Sequence, residues 1–308
     1  MSLRLHQLRA LVGVVEHGGI RAAARHLNIS QAALTKSLRQ LEDDAGVPLL
    51  VRGSRGVSVT ETGQRLVSRA RLVTRQLELA DDELKAAAGD QQGHVGVALT
   101  PYVTVRHLGR AFQWFRRRYP QVSVEVVEGL VARTLPRLRD GSLDLAIVAD
   151  TGDLPAGEFH SEEVITARQH VVVRKRHPVL PKPTLQAVAE LEWILSGPRD
   201  GLKSGRLQAM FSRAGVKVPP RILLCDTLSG LALLRNSDVA GIVPAPLLEE
   251  PEGRGLVAID LPGLDPGELR VVLLTRHDVP LSPAAAYFAR CLTDAMRDGV
   301  AQPSGNVA

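Results

Sequence analysis

The sequence predicts an α+β multidomain chain: a small helical head closed by a hairpin, one long helix, and a larger α/β region in two lobes. Three observations point there. Positive charge is concentrated in the first quarter, an apolar 4–3 repeat runs from Leu66 to Ala87, and strand-like runs alternate with helical patterns beyond residue 94. At 308 residues the chain is too long for one ordinary domain and comfortable for two or three. Hydrophobic content of 44% and charged content of 23% suit a globular chain with a large core, which excludes wholesale disorder.

The charge is uneven. Residues 1–75 carry 12 Lys+Arg against 5 Asp+Glu, residues 76–90 carry 1 against 5, and the remainder 25 against 23. A basic module attached to a nearly neutral domain is the footprint of nucleic-acid binding; a solvated basic face without a partner is the plainer alternative. Only 3% of residues are aromatic, which disfavours base stacking as the mode of recognition. The longest apolar runs, such as LAIVA at 145–149, are strand-sized and far short of the roughly 18 residues that span a bilayer. The first residues interleave Arg4, His6 and Arg9 with leucines, an amphipathic helix and not a secretion signal. No membrane partner and a cytoplasmic location are therefore expected. Cys225 and Cys291 cannot build a disulfide framework, which suits a reducing compartment.

In the head, Leu5, Leu8, Leu11, Val12 and Val15 recur at helical spacing until His17-Gly18-Gly19. Ile20, Ala23, Ala24 and Leu27 line a second short helix, and Asn28-Ile29-Ser30 turns the chain. Ser30 can cap a third helix, whose Leu34, Leu38, Leu41 and Ala45 point inward, leaving Gln31, Thr35, Lys36 and Arg39 on other faces. Gly46 and Pro48 end it. A hairpin follows from Leu49 to Val59, with Arg52 and Arg55 at its tip. Short helix, tight turn and polar-fronted helix form a helix-turn-helix layout. Gln31, Thr35, Lys36 and Arg39 can address base edges in a major groove, and Arg52 and Arg55 phosphates or a minor groove. A small helical bundle with no ligand shares the same pattern.

The stretch from Leu5 to Gly63, LHQLRALVGVVEHGGIRAAARHLNISQAALTKSLRQLEDDAGVPLLVRGSRGVSVTETG, resembles the N-terminal winged helix-turn-helix of LysR-type transcriptional regulators. Ala23 and Ala24 match the family's paired alanines, Ser30-Gln31 the opening of its recognition helix, and Leu41-Glu42 its leucine–glutamate pair. Arg52 matches the wing arginine, and Thr60 with Gly63 the following Thr-x-x-Gly. Gly19 and Ile20 stand where the family usually has Ser and Phe, which weakens the cap of the second helix, and Ala32 replaces a common proline. No DNA-facing group is lost. The resemblance implies double-stranded DNA as a partner and Ser30, Gln31, Thr35, Lys36, Arg39, Arg52 and Arg55 as its contacts.

Leu66, Ala70, Val73, Leu77, Ala80, Leu84 and Ala87 follow a strict heptad seam. Arg65, Arg69, Arg71 and Arg75 crowd one end, and Asp81, Asp82 and Glu83 the other, so an antiparallel partner would match opposite charges. A lone surface helix packed on its own domain is the alternative. The resemblance adds weight to pairing, because the family's linker helices pair in this way. It implies a homodimer or homotetramer, with Leu66, Ala70, Val73, Leu77, Ala80 and Leu84 at the dimerisation seam. The expected division is 1–60 head, 61–90 linker helix and 91–308 effector domain.

Beyond the hinge at 89–93, strands are expected at 94–100, 122–128, 143–149, 170–175, 193–196, 222–225, 240–244, 256–260 and 269–275, with helices between many of them. Such alternation favours mostly parallel sheets. Val164–Arg168 and Pro262–Glu268 read as crossings between two lobes: 94–162 with 268–300, and 163–267. The resemblance implies a periplasmic-binding-protein-like effector domain with that division; by itself the pattern fits many enzymes.

Catalytic and cofactor motifs are missing from the sequence. Gly197 to Ser204 imitates a phosphate loop, but its glycines are one residue too close and Leu202 separates Gly201 from Lys203. The nine histidines show no His-x-x-x-His pair, and no Cys-x-x-Cys occurs, so no metal, cofactor or catalytic residue is assigned. A ligand cleft is expected where strands end and helices begin. Thr100 with Pro101 and Tyr102, Ala149, Ser196 with Pro198 and Arg199, and Thr227 occupy such places and by family analogy bind the effector. Helix capping, strand packing or plain exposure would account for each one equally well. PRLRDGSLDLAIVA and RHDVPLSPAAA are similar to the family branch that controls toluenesulfonate degradation, implying a small aromatic sulfonate or carboxylate. The expectation is a regulator, not an enzyme, that binds an interrupted inverted repeat and responds to a small organic anion, with RNA polymerase as a further partner. A solute-binding protein or a small-molecule enzyme is the rival reading.

Overall fold

The computed structural model describes residues 3–53, 56–87, 92–150, 152, 154–196 and 205–300. The chain divides into two compact units. One holds residues 1–96, 121–123 and 135–144; the other holds 97–120, 124–134 and everything from 145 onward.

The first unit begins with α1 (Leu5–Glu16), α2 (Ile20–His26) and α3 (Gln31–Ala45), continues through the hairpin β1 (Leu50–Gly53) and β2 (Gly56–Val59), and enters α4 (Glu61–Ala87). The head forms because its leucines converge: Leu11, Val14, Ala23, Ala24, Leu34, Leu38, Leu41 and Val67 make one buried cluster. Asn28 takes a positive φ of 53°, which turns the chain between α2 and α3. Gly46 closes α3 with a left-handed φ of 67°. Gly19 supplies no side-chain cap to α2.

Glycine is obligatory at position 63. A Cβ there would lie 2.2 Å from the Leu49 carbonyl oxygen and 2.6 Å from Val59 Cγ1. Thr60 ties the same junction: its hydroxyl donates to the Pro48 carbonyl at 3.0 Å and accepts from the Gly63 N–H at 2.9 Å.

The long helix α4 buries Val67, Ala70 and Thr74. Leu8 and Val12 of α1 pack on Ala70 and Leu66 within the same chain. The outer part of the expected seam, Val73, Leu77, Ala80 and Leu84, is exposed. The charge pattern also finds partners closer to home than expected. Arg71 bonds Glu16 and Asp140, and Arg75 bonds Asp144, so neither guanidinium is left for the acidic end of a second helix.

The α/β region runs β3 (His94–Leu99), α5 (Pro101–Val103), a π-helical turn (Thr104–Leu108), α6 (Gly109–Arg118), β4 (Ser123–Glu128), α7 (Val131–Arg139), β5 (Leu145–Asp150) and β6 (Phe159–Arg174). It continues through α8 (Leu185–Ala189), β7 (Glu192–Ser196), α9 (Arg206–Arg213), β8 (Ile222–Cys225), α10 (Thr227–Asn236) and β9 (Val239–Pro244). After short 3-10 turns come β10 (Leu256–Ile259), β11 (Glu268–Arg276) and α11 (Pro283–Val300). Strand order is β4-β3-β5-β11-β6-β9-β7-β8, with β10 also on β6.

The expectation of mostly parallel sheets needs correction. β3 with β5, and β7 with β8 and β9, are parallel. β11 runs antiparallel to β5 and β6, and β6 antiparallel to β9 and β10. The reason is that β6 carries the chain out of one lobe and β11 carries it back. The run 164–168 is the middle of one 16-residue strand. Phe159–Arg168 pairs with β11, and Gln169–Arg174 with β9 and β10. Its first residues give no strand signal in the sequence because Ser161, Glu162 and Glu163 break the apolar run.

In the first lobe, Phe115 of α6 meets Phe288 of α11 at 4.7 Å between ring centroids. In the second, Trp193 meets Phe211 edge-on at 5.1 Å, and its indole N–H donates to the Val188 carbonyl at 3.0 Å. Among the described residues no helix is long and apolar enough to cross a membrane.

Candidate nucleic-acid interface and effector cleft

The head presents α3 as a two-faced element. Ser30 opens it by accepting the Ala33 N–H at 3.1 Å. Leu34, Leu38 and Leu41 are fully buried. The opposite side is an open groove of about 550 Å³ lined by Gln31, Ala32, Thr35, Lys36, Arg39, Gln40 and Asp43. The four residues singled out from the sequence thus share one solvent face, with amide, hydroxyl, ammonium and guanidinium groups side by side.

Sequence reading missed the groups that hold this face in place. Gln7, buried on α1, accepts the Arg4 N–H at 3.1 Å and donates to Asp44 Oδ2 at 3.2 Å. Gln40 donates to the other Asp44 oxygen at 3.0 Å. These bonds, Gln40 first and Gln7 second, hold the Asp44 carboxyl below its ordinary pKa. Glu42 reaches out of α3 and accepts from the N–H groups of Leu49 and Leu50, at 2.8 and 3.0 Å, which fastens the start of the wing. The 4–3–4 leucine steps carry no hint of these bonds, and Leu41-Glu42 enters the sequence reading only as a family match. Arg52 sits in β1 opposite Val57. Its side chain, and Arg55 entirely, lie outside the described residues.

On the effector side, the carboxyl ends of the parallel strands β3 and β5 lie together. The Thr100 N–H donates to the Ile147 carbonyl at 2.7 Å, and Ala149 follows two residues later on β5. Thr100 precedes Pro101 at the start of α5, and its hydroxyl makes no capping bond there. Gly129 is pressed against this strand end: a Cβ would meet Leu99 C at 2.7 Å and Thr100 N at 2.8 Å. Thr227 in the other lobe donates its hydroxyl to Glu128 at 2.8 Å. Asp226, not Thr227, caps α10 by accepting the Ser229 N–H at 2.8 Å. Thr100, Ala149 and Thr227 are therefore gathered at strand ends, and Glu128 is the member the sequence did not announce. Tyr102 is buried and packs edge-on against His107 at 5.7 Å, and burial raises its phenol pKa. Ser196 ends β7, its side chain undescribed, and Pro198 and Arg199 lie outside the described residues.

A second tie joins the lobes at the π-helical turn. Arg106 donates to Glu250 at 2.9 Å, to Glu249 at 3.3 Å and to the Pro246 carbonyl at 3.2 Å. The next residue, His107, is buried; one ring nitrogen lies 3.1 Å from the Ala295 carbonyl and Nε2 has no partner. Burial lowers its pKa to about 4, so the ring is neutral near pH 7. No group of three or more His, Cys, Asp or Glu side chains among the described residues could hold a metal ion.

Comparison with known proteins agrees with this geometry at both ends of the chain. Residues 5–64 match the bacterial regulatory helix-turn-helix family of the LysR type, and residues 88–297 match the LysR substrate binding domain. The chain belongs to the LysR family. The regulator GalR of Pseudomonas putida is 31% identical over 290 residues, covering 93% of this chain and 72% of that protein. Two solved LysR-family structures share the fold: CbnR with its target DNA (TM-score 0.63, 21% identity, 95% of this chain and 100% of that one) and LysG of Corynebacterium glutamicum with bound effector Arg (TM-score 0.59, 18% identity, 96% and 99%). The Thr-x-x-Gly of the LysR head thus has a physical basis in this chain: Thr60 and Gly63 clamp the wing to α4.

Proposed function

We propose that this LysR-family protein is a sequence-specific DNA-binding regulator that lays α3 in a major groove. Gln31, Thr35, Lys36 and Arg39 address base edges or phosphates there, Ser30 orders the leading turn, and Arg52 and Arg55 hold the backbone beside it. The carrying observation is the two-faced α3, apolar and buried on one side, polar and cationic on the groove side. Two copies pair through the exposed Val73, Leu77, Ala80 and Leu84, while Leu66 and Ala70 are covered by α1 of the same chain, and dimers associate into a tetramer on an interrupted inverted repeat. A small organic effector binds between the lobes near Thr100, Pro101, Tyr102, Ala149 and Thr227, and Ser196, Pro198 and Arg199 are assigned to it by family analogy. An anion is the reading carried from the sequence, with Arg199 as its clamp; Glu128 beside Thr227 supports a ligand that also offers a hydrogen-bond donor. Such a protein works in the cytoplasm, contacts RNA polymerase and catalyses no reaction. Its relatives are transcriptional regulators, which supports this over a solute-binding protein or an enzyme.

A mobility-shift titration on the DNA upstream of the gene tests the reading. Affinity should fall with salt along a log–log slope of about −4 or steeper. Binding without salt dependence, or none in dilute buffer, overturns it. Arg199→Ala should abolish the response to small aromatic anions, read as thermal stabilisation, and leave DNA binding intact.

A further inference from the structure

Gln40 lines the same open face of α3 as Gln31, Thr35, Lys36 and Arg39, with Asp43 beside it. It is also tied down from behind. Its Nε2 donates to Asp44 Oδ1 at 3.0 Å, and the other oxygen of Asp44 accepts from Gln7 Nε2 at 3.2 Å. Gln7 is only 1% exposed, and its Oε1 accepts the Arg4 N–H at 3.1 Å. Both ends of the buried Gln7 amide are therefore engaged, which holds its nitrogen toward Asp44. A carboxylate offers acceptors alone, so the Gln40 atom that meets Asp44 must likewise be nitrogen. The bonds run from the backbone ahead of α1 to the solvent face of α3, and they fix which way round the Gln40 amide sits.

An exposed glutamine ordinarily samples many rotamers, and ordering it on a partner costs conformational entropy. Here the fold has already imposed much of that order. With one N–H given to Asp44, the amide still carries a carbonyl oxygen and a second N–H. An acceptor beside a donor matches adenine in a major groove, where the N6 amino group donates and N7 accepts. A phosphate is a poorer fit. It offers acceptors only, so the carbonyl oxygen would gain nothing, and its negative charge would meet the carboxylate of Asp43 on the same face.

We propose that Gln40 is a further specificity-determining residue that reads one adenine in each half-site, and that Asp44 and Gln7 are positioning residues that hold its amide for that contact. The inference rests on the DNA-binding reading above and names a base for it. Asp44 and Gln7 act through Gln40 and touch no nucleotide themselves.

Selection by the full-length chain from duplexes with randomised upstream half-sites tests this, followed by titration of single-base variants of the preferred site. The wild type should enrich adenine at one position, and any other base there should weaken binding about tenfold. Gln40→Ala should bind all four bases at that position within about twofold and keep its preferences elsewhere. Asp44→Asn should lose the same preference with Gln40 still in place, because it puts an amide N–H2 where one of two acceptor oxygens is used. Gln7→Met, close in volume but unable to make either bond, should act in the same way. Adding Asp44→Asn to Gln40→Ala should change selectivity no further, since both remove one shared contact. A merely structural role would weaken every sequence alike and leave the adenine preference in place. Uniform weakening by Gln40→Ala therefore overturns the base contact. An adenine preference that survives both Asp44→Asn and Gln7→Met overturns the positioning role. A wild type that enriches no duplex refutes the DNA-binding reading itself, and this inference with it.

Discussion

Two halves of α4 carry the same apolar repeat and end in different surroundings. Up to about residue 75, Ala70 of the repeat and its neighbours Val67 and Thr74 are buried, Val73 already faces outward, and Arg71 and Arg75 are bonded within the chain. Beyond that, Leu77, Ala80 and Leu84 of the repeat face outward, while Leu79, off the repeat, is buried. Two physical effects separate them. The 12 residues of α1 span about 18 Å and the 27 of α4 about 40 Å, so α1 can cover less than half of it. A strict seven-residue repeat also drifts about 20° per heptad around a straight helix. A seam that starts at Leu66 against α1 therefore turns away from it. A heptad pattern thus reports that a stripe is apolar, not which neighbour covers it.

The sharpest way to break this contrast lies at the start of α4. Gly63→Ala should unfold the wing junction, because the added Cβ meets the Leu49 backbone at 2.2 Å with no side chain able to move aside. We expect a loss of at least about 3 kcal/mol, seen as a lowered melting temperature together with lost DNA binding. Next in size is a matched pair. Ala70→Asp buries an unpaired charge and should cost several kcal/mol, whereas Ala80→Asp, measured at a dilution where the chain is monomeric, should leave the melting temperature nearly unchanged. Equal effects at the two positions would abolish the distinction between the halves.

Polar groups extend the comparison. Thr74 on the covered half is satisfied, its hydroxyl lying 3.0 and 2.9 Å from the carbonyls of Ala70 and Arg71, whereas the buried His107 leaves Nε2 unpaired. The His107 pKa, lowered to about 4 from 6.5, means that the unfolded chain binds more protons across that interval. Stability should be fully present above about pH 6.5 and fall as pH drops toward 4, by up to about 3 kcal/mol. Denaturant titrations at several pH values should show that slope in the wild type and a flatter one in His107→Leu. The smallest effect on folding belongs to the outer half. Leu77→Lys should change stability by less than about 0.5 kcal/mol yet shift sedimentation from dimer toward monomer. An unshifted sedimentation profile would mean that the outward stripe is not a pairing surface.

The head was the most legible part of the chain. The leucine steps, Ser30 and Gly46 specify its helices locally, and the family motifs named its role. The same local signals placed α4 and most strands of the lobes. Local signals end where partners are distant in sequence. Nothing in the pattern around Gln7 points to Asp44, and nothing around Thr227 points to Glu128, 99 residues away. The polar start of β6 hid a strand that pairs with β11 more than a hundred residues later.

What the sequence determined by itself is therefore the set of elements, their buried faces and the cationic front of α3, because periodicity and capping act within a few residues. Only the tertiary structure decided where the arginines of α4 go, which rungs of its seam stay open, and that the lobes are joined by antiparallel strands. Those outcomes depend on which distant carboxylate, helix or strand folding brings close, because hydrogen bonds require contact at about 3 Å and ion pairs weaken with separation and solvent screening.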